Sequence, residues 1–161
     1  VIAFDAQGEF FAAADESGKV AIFPFRPPDY PKEAQAIIEK PGLLGSRPLA
    51  LAFDPERRWL AGIRGTDLIV WNLQSAWYER HLEASVGDAS GLTASLAFDP
   101  SGNLLGVGTA NGWQIWNVQD KQLVAEGTGV EVYAVAFSPD GRLFTWGDSS
   151  GNVHILGIQE K

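Results

Sequence analysis

One short pattern occurs four times in the sequence, and this repeat limits the chain to a fold built from successive similar units. The four copies cover residues 1–8, 49–56, 95–102 and 134–141, and each contains an Ala-Phe pair. The phenylalanines Phe4, Phe53, Phe98 and Phe137 follow one another at intervals of 49, 45 and 39 residues. This spacing brackets a unit of four short strands, which takes about 40 to 45 residues.

Each unit continues in the same way after its phenylalanine. A tight turn follows, as in Asp-Pro-Ser-Gly at 99–102, where proline presets one backbone angle and glycine supplies a positive φ. A second apolar segment comes next (10–14, 59–63, 104–109 and 143–147), then a turn containing glycine, then a third apolar segment (20–23, 68–71, 113–116 and 153–156). A more polar fourth run, around 77–83 and 122–126, suits an outer edge strand. The pattern therefore predicts an all-β fold of antiparallel sheets.

The first unit has a longer connection than the others. Four prolines between residues 24 and 31 exclude a central strand or a helix interior there, so we expect a surface loop. Beyond it we expect an edge strand near residues 36–38, although residues 33–40 are also compatible with a helical turn.

Three segments resemble motifs of the WD-repeat family of β-propellers: Ala-Phe-Ser-Pro-Asp-Gly at 136–141, Val-Trp-Asn at 70–72 and Ile-Trp-Asn at 115–117. The resemblance covers nearly the whole chain. The resemblance implies a β-propeller of four-stranded antiparallel blades at about 1–43 (with the proline-rich loop 24–31), 44–90, 91–129 and 130–161. The four phenylalanines and Trp71 and Trp116 would be its structural anchors, with the two tryptophans packed between blades. Phe23 and Leu156 stand where the tryptophan would be in the first and fourth blades. The family's buried polar network is incomplete, so we expect blades held mainly by apolar packing and backbone hydrogen bonds.

The resemblance also predicts whether the four blades form a complete ring. Family members mostly close with seven or eight blades, so four blades imply an incomplete ring. The chain starts in a first strand and contains no methionine, which indicates that residue 1 is not a translation start. We expect a fragment of a larger propeller, and the alternative is half a ring completed by a second copy.

Composition restricts the partners. Twenty acidic and twelve basic side chains give a net charge of -8, which repels phosphate backbones and anionic lipid. We therefore expect no nucleic acid and no membrane as a partner. The chain has no cysteine, which fits a reducing compartment, and we expect a cytoplasmic location. No cofactor and no metal are predicted, because neither His81 nor His154 belongs to a metal-spaced motif, and both are interpreted as solvated side chains.

Two motifs suggest catalysis, but the repeat explains them. Residues 147–151 match Gly-x-Ser-x-Gly, yet a strand and not a helix follows, and residues 108–112 occupy the same place one unit earlier. Residues 106–112 resemble a dinucleotide loop with its third glycine displaced. We therefore predict that Ser149 is not a nucleophile and that the chain is not an enzyme.

Two other residue groups carry predictions. Asp54, Asp99 and Asp140 lie in the first turns, where their carboxylates are expected to accept backbone N–H bonds. Of the remaining tryptophans, Trp113 and Trp146 flank the second turn, and both a core role and a surface anchor role are open for them.

Members of the WD-repeat family mostly act as rigid platforms for other proteins. Their contacts come from side chains just before the first strand and from the turn between the second and third strands. The matching positions here, expected on one face, are Arg47, Glu131, Tyr133, Glu16, Arg64, Thr109 and Ser149. Arg64 and Tyr133 are the strongest candidates, because both residue types are enriched at interfaces.

The resemblance thus implies a non-catalytic interaction scaffold or sensor module within a larger regulatory protein, binding another protein or a domain of the same parent chain. The alternatives are a hydrolase or other enzyme with its active site on the propeller face, and a self-assembling structural repeat.

Overall fold

In the computed structural model, which describes residues 1–25, 33–39, 48–75, 79–86 and 94–158, the chain folds into four antiparallel sheets. Sheet one contains β1 (Ile2–Phe4), β2 (Phe10–Ala14), β3 (Val20–Pro24) and β4 (Ala36–Glu39). Sheet two contains β5 (Pro48–Phe53), β6 (Trp59–Arg64), β7 (Asp67–Asn72) and β8 (Arg80–Ser85). Sheet three contains β9 (Ala94–Phe98), β10 (Leu104–Thr109), β11 (Gly112–Asn117) and β12 (Gln122–Thr128). Sheet four contains β13 (Val132–Phe137), β14 (Leu143–Asp148) and β15 (Val153–Gly157).

The all-β class and the repeated antiparallel sheet are confirmed. In each sheet the strands lie side by side in chain order, as short glycine-containing turns require. The segment near residues 36–38 is a strand and not a helical turn. Pro24 closes β3, where it pairs with Phe10, and residues 26–32 of the proline-rich loop lie outside the described residues.

All four sheets share one register, and this places equivalent side chains in rows across the strands. The first kind of row, here called the large row, starts at the repeated phenylalanine and faces one side of the sheet. The large rows are Phe4–Phe11–Phe23, Phe53–Leu60–Trp71, Phe98–Leu105–Trp116 and Phe137–Phe144–Leu156.

The neighbouring residues form a second kind of row on the opposite side, here called the small row. Each has alanine on the first strand, a small side chain or glycine on the second, and valine or isoleucine on the third. The small rows are Ala3–Ala12–Ile22, Ala52–Ala61–Val70, Ala97–Gly106–Ile115 and Ala136–Thr145–Ile155.

The sheets pack in chain order, with the small row of one sheet against the large row of the next. Ala12 and Ile22 of sheet one share an apolar cluster with Leu60 and Trp71 of sheet two. Ala61 and Val70 of sheet two similarly pack with Leu105 of sheet three. The same packing joins sheets three and four. A Cβ placed on Gly106 would lie 2.5 Å from Cε2 of Phe144, so the glycine makes room for the ring.

Side-chain oxygens close the first turn of each sheet. Asp54 and Asp99 do so as predicted, accepting N–H bonds from Arg58 at 2.9 Å and Leu104 at 2.7 Å. Asp5, which was not predicted, accepts from Phe10 at 2.9 Å. All three carboxylates are buried, and these bonds satisfy backbone groups that would otherwise be unpaired.

The fourth first turn differs slightly from the prediction. Asp140 accepts an N–H bond from Arg142 at 3.1 Å, as expected. The residue equivalent to Asp54, however, is Ser138, whose hydroxyl oxygen accepts from Leu143 at 2.9 Å and donates to Asp140. Ser138 therefore performs in sheet four the role that aspartate performs in the other sheets.

Two arginines of sheet two link the first turns of neighbouring sheets. The Nη1 atom of Arg57 lies 2.7 Å from Glu9 Oε2 and 3.4 Å from the buried Oδ2 of Asp5, which has no hydrogen-bond donor among the described residues. On the other side, Arg58 pairs with Asp54 at 2.8 Å and donates to the carbonyl of Ser101 at 2.6 Å. Charged bonds thus supplement the apolar packing between sheets.

Candidate functional site

The turns between second and third strands, together with residues 131–133 before and within β13, form what we call the second-turn edge. In two of these turns an aspartate at the end of the second strand folds back over the turn. Asp15 accepts an N–H bond from Ser17 at 2.9 Å, and Asp148 accepts one from Ser150 at 2.8 Å. These bonds fix the turn backbone and so hold the neighbouring side chains in defined positions.

Arg64 is the cation of this edge in sheet two. Its guanidinium reaches across to sheet one, where a Cβ on Gly18 would lie 3.6 Å from Nη1 of Arg64. Among the described residues no carboxylate forms an ion pair with Arg64, and the side chain is half-buried. A half-buried guanidinium keeps its five N–H donors, so this position is suited to bind a carboxylate.

Arg64 lies at an apolar groove between sheets one and two. The groove is narrow, with an open volume of about 10 Å³, and Gly18, Val20, Leu51, Ile69 and Trp71 line it together with Arg64. Trp71 is 3% exposed and belongs to the core between the two sheets, the position expected from the sequence. The groove volume is about that of one water molecule, so a partner would contact the surface beside Arg64 and would not enter an enclosed pocket.

In sheet four, Tyr133 and Glu131 lie on the second-turn edge. Tyr133 is 54% exposed, and its hydroxyl donates to Glu131 Oε2 at 3.3 Å. The charge of Glu131 raises the pKa of Tyr133 above its ordinary value of 10.0. The backbone N–H of Ser149 donates to the carbonyl of Glu131 at 2.9 Å, which brings these three predicted residues together.

The remaining predicted binding residues have different environments. Glu16 is exposed in the turn that also contains Gly18, next to the Arg64 groove. Thr109 differs from the prediction, because it is 3% exposed and its hydroxyl donates to Gly112 O and accepts from the N–H of Asn111. Thr109 therefore stabilises its turn. Arg47 lies outside the described residues.

The strand register explains the difference at Thr109. Ala14 pairs with Val20, Gly108 with Trp113 and Gly147 with Val153, so the residues that follow them, Asp15, Thr109 and Asp148, are equivalent. At all three positions a side-chain oxygen accepts a turn N–H bond. Glu16 and Ser149 lie one residue later in their turns, and both are exposed. Alignment of Gly108 with Gly147 in the sequence would have revealed this offset.

His154 has a structural role that the sequence analysis missed. It was expected to be solvated, but its Nε2 lies 2.7 Å from Asp148 Oδ2, and its ring stacks on Trp146 at 4.9 Å with an interplanar angle of 11°. Trp146 in turn contacts Trp113 at 4.8 Å, so both tryptophans pack between sheets three and four. These contacts support the core role for both tryptophans.

The bond to His154 is the main cause of an unusual acidity at Asp148. It lowers the pKa of that carboxyl from 3.8 to about 2, and N–H bonds from Asn152 and Ser150 add to the effect. The ionised carboxylate and the imidazole thus anchor β15 to the end of β14. Ser149 follows Asp148 in the turn between these strands, and the next element is strand β15.

His81 was also expected to be solvated, but it is half-buried and has protein contacts. Its Nε2 lies 3.0 Å from the carbonyl of Val118, and its ring contacts Trp59 at 4.3 Å. The contact joins β8 of sheet two to the end of β11 in sheet three. Both histidines therefore connect elements of the scaffold.

Within the described ranges, no three His, Asp or Glu side chains are close enough together to hold a metal ion. Those same ranges contain no helix that could span a bilayer. No protein-family model matches the chain, and no curated protein matches it.

Proposed function

We propose that this chain is a non-catalytic protein-interaction module whose four sheets are successive blades of a WD-repeat-type β-propeller. The shared register of the sheets and the packing of small rows against large rows support this arrangement. Successive similar sheets that each contact only their neighbours are typical of propellers and other repeat folds. The expectations of a cytoplasmic location and of a larger regulatory parent protein belong to the same proposal.

One observation carries the functional part of the proposal: Arg64 has no ion-pair partner among the described residues and borders an apolar groove. In a chain with a net charge of -8, a guanidinium in this position favours a partner that presents a carboxylate beside an apolar side chain. Tyr133 adds an exposed aromatic ring whose hydroxyl is already oriented by Glu131. Arginine and tyrosine with these properties are frequent hot spots at interfaces.

The partner is tested with the intact chain as bait. Proteins retained from a cytosolic extract of the source organism are identified by quantitative mass spectrometry, and the dissociation constant of each candidate is then measured with purified components. Arg64→Ala and Tyr133→Ala should each weaken binding by about tenfold or more, the usual effect of truncating a hot-spot residue.

Val124→Ala is the matched control. Val124 lies on β12 and is 58% exposed, so its truncation changes an equally accessible side chain away from the second-turn edge. The control should bind as the original chain does. Unchanged affinity in both Arg64→Ala and Tyr133→Ala would contradict the assignment of the second-turn edge as the binding surface.

A further inference from the structure

The small row of sheet four is exposed, although its equivalents in the other sheets are buried. Ile155 is 67% exposed, whereas Ile22, Val70 and Ile115 at the same repeat position are 7%, 0% and 1% exposed. Val153, two residues before Ile155 on the same side of β15, is 76% exposed. We call this surface face four, and it consists of Ala134, Ala136, Leu143, Thr145, Gly147, Val153 and Ile155.

The large row of sheet one is exposed in a similar way. Phe4 is 57% exposed, whereas the equivalent Phe53, Phe98 and Phe137 are half-buried against the preceding sheet. Ile2 is 63% exposed, and its equivalent Val135 only 9%. We call this surface face one, and it consists of Ile2, Phe4, Phe11, Ala13 and Phe23.

The two faces differ in shape. Face one is bulky, because Phe11 and Phe23 are stacked with ring centroids 4.9 Å apart and Phe4 contacts Phe11 at 5.7 Å. The middle strand of face four carries the small residues Thr145 and Gly147, and a Cβ on Gly147 would have no atom within 4 Å. Among the described residues, the large row of one sheet packs over the small row of the preceding sheet, as Phe144 does over Gly106. Bulky face one therefore matches face four better than it matches a copy of itself.

Neither face contains a charged side chain, so desolvating them leaves no ionic group unpaired. Apolar surfaces of this kind on a water-soluble chain usually mark an interface, because covering them releases their hydration water. Both complementary faces belong to the same chain, and one copy can thus provide the surface that another requires.

We propose that a second copy of this chain docks its face one on face four, and that the first copy does the same in return. The contact repeats the packing of small row on large row that joins successive sheets inside each copy. Two reciprocal contacts produce a closed pair with eight sheets in series. This interface is separate from the second-turn edge, so the proposal stands independently of the protein-binding function.

The test is sedimentation velocity of the 161-residue chain over a concentration series up to about 100 µM, a range that detects pairing of micromolar affinity. The original chain should sediment as a pair. Ile155→Lys on face four and Ile2→Lys on face one should each weaken pairing by about 100-fold or more, because each change affects both contacts of the pair. The control Val124→Lys, at an exposed valine on neither face, should pair normally.

A mixing experiment identifies which faces meet. The Ile155→Lys chain keeps an intact face one, and the Ile2→Lys chain keeps an intact face four. Mixed copies carrying different fluorescent labels should therefore pair more tightly than either variant pairs with itself. Circular dichroism spectra matching the original chain would show that both variants are folded.

Three results would overturn the proposal. A chain that remains monomeric at the highest concentration would assign both faces to some other occupant. Loss of pairing in Ile155→Lys with normal pairing in Ile2→Lys would indicate contact between like faces. Particles that keep growing with concentration would exclude the closed pair.

Discussion

His154 of β15 holds Asp148 at the end of β14 through a 2.7 Å contact between Nε2 and Oδ2. The carboxylate also accepts N–H bonds from Ser150 and Asn152, so one buried side chain organises the whole turn. The equivalent turn of sheet one depends on Asp15, which accepts bonds from Ser17 and Lys19 but contacts no imidazole. The fourth sheet therefore has a polar anchor that the first lacks.

This contact predicts how stability depends on pH. The pKa of Asp148 is about 2 in the folded chain against an ordinary value of 3.8, so its carboxylate stabilises the fold above about pH 3.8. That stabilisation is lost as the pH falls from about 3.8 to about 2. In His154→Ala the pKa of Asp148 should rise towards 3.8, and acid unfolding should begin at a higher pH.

Carbon-13 titration of the carboxyl groups and circular dichroism during acidification measure the two effects. His81→Ala is the control, because His81 contacts Val118 and not Asp148. An unchanged pKa of Asp148 in His154→Ala would show that the imidazole is not the cause of the acidity.

Two glycines at equivalent turn positions predict different costs of substitution. Gly102 and Gly141 have φ angles of 69° and 72°, so alanine is strained at both. A Cβ on Gly102 would also collide with Asp54 Oδ1 and Arg58 Nη2, whereas the nearest atom to a Cβ on Gly141 is Pro100 Cδ at 3.7 Å. Gly141→Ala should lower the free energy of unfolding by about 1 kcal/mol, the cost of backbone strain alone.

Gly102→Ala should lower it by more than about 2 kcal/mol, because it also disturbs a buried carboxylate and its guanidinium partner. Urea denaturation of the two variants measures the difference. Equal losses would mean that the Asp54–Arg58 pair moves aside at little cost.

The ionisation of Tyr133 tests the geometry of the second-turn edge. Because the charge of Glu131 is the main cause of the raised pKa, Glu131→Gln should bring the pKa of Tyr133 back towards 10.0. A titration of carbon-13-labelled tyrosine measures it, with Tyr133→Phe to assign the signal among the three tyrosines. Glu126→Gln on β12 is the control and should not change the pKa of Tyr133. If Glu131→Gln also has no effect, the two side chains are not adjacent in solution.

The strands could be predicted from the sequence because their signals are local. The apolar segments at 10–14 and 104–109 coincide with β2 and β10, since glycine and proline turns bound them and strand residues alternate between two sides. The repeated Ala-Phe pair also marks neighbouring positions that face opposite sides, which is why one belongs to the small row and the other to the large row.

The side-chain environments could not be predicted in the same way. His154 is six residues from Asp148, and their contact depends on how closely the turn folds β15 onto β14. Thr109 resembles an exposed turn residue in the sequence, and its capping role becomes clear once its position is matched with those of Asp15 and Asp148. The role of Gly106 is equally non-local, because the side chain that excludes a larger residue comes from the next sheet.

The packing of each large row into the preceding small row is tested most directly by a double-mutant cycle at Gly106 and Phe144. A Cβ at position 106 would lie 2.5 Å from Cε2 of Phe144, which is fully buried, so Gly106→Ala should destabilise the chain by about 1 to 3 kcal/mol. Phe144→Leu shortens the opposing side chain and should make the same alanine less costly, with a coupling energy of about 1 kcal/mol or more in urea denaturation. Additive losses in the double variant would contradict the packing of sheet four on sheet three described here.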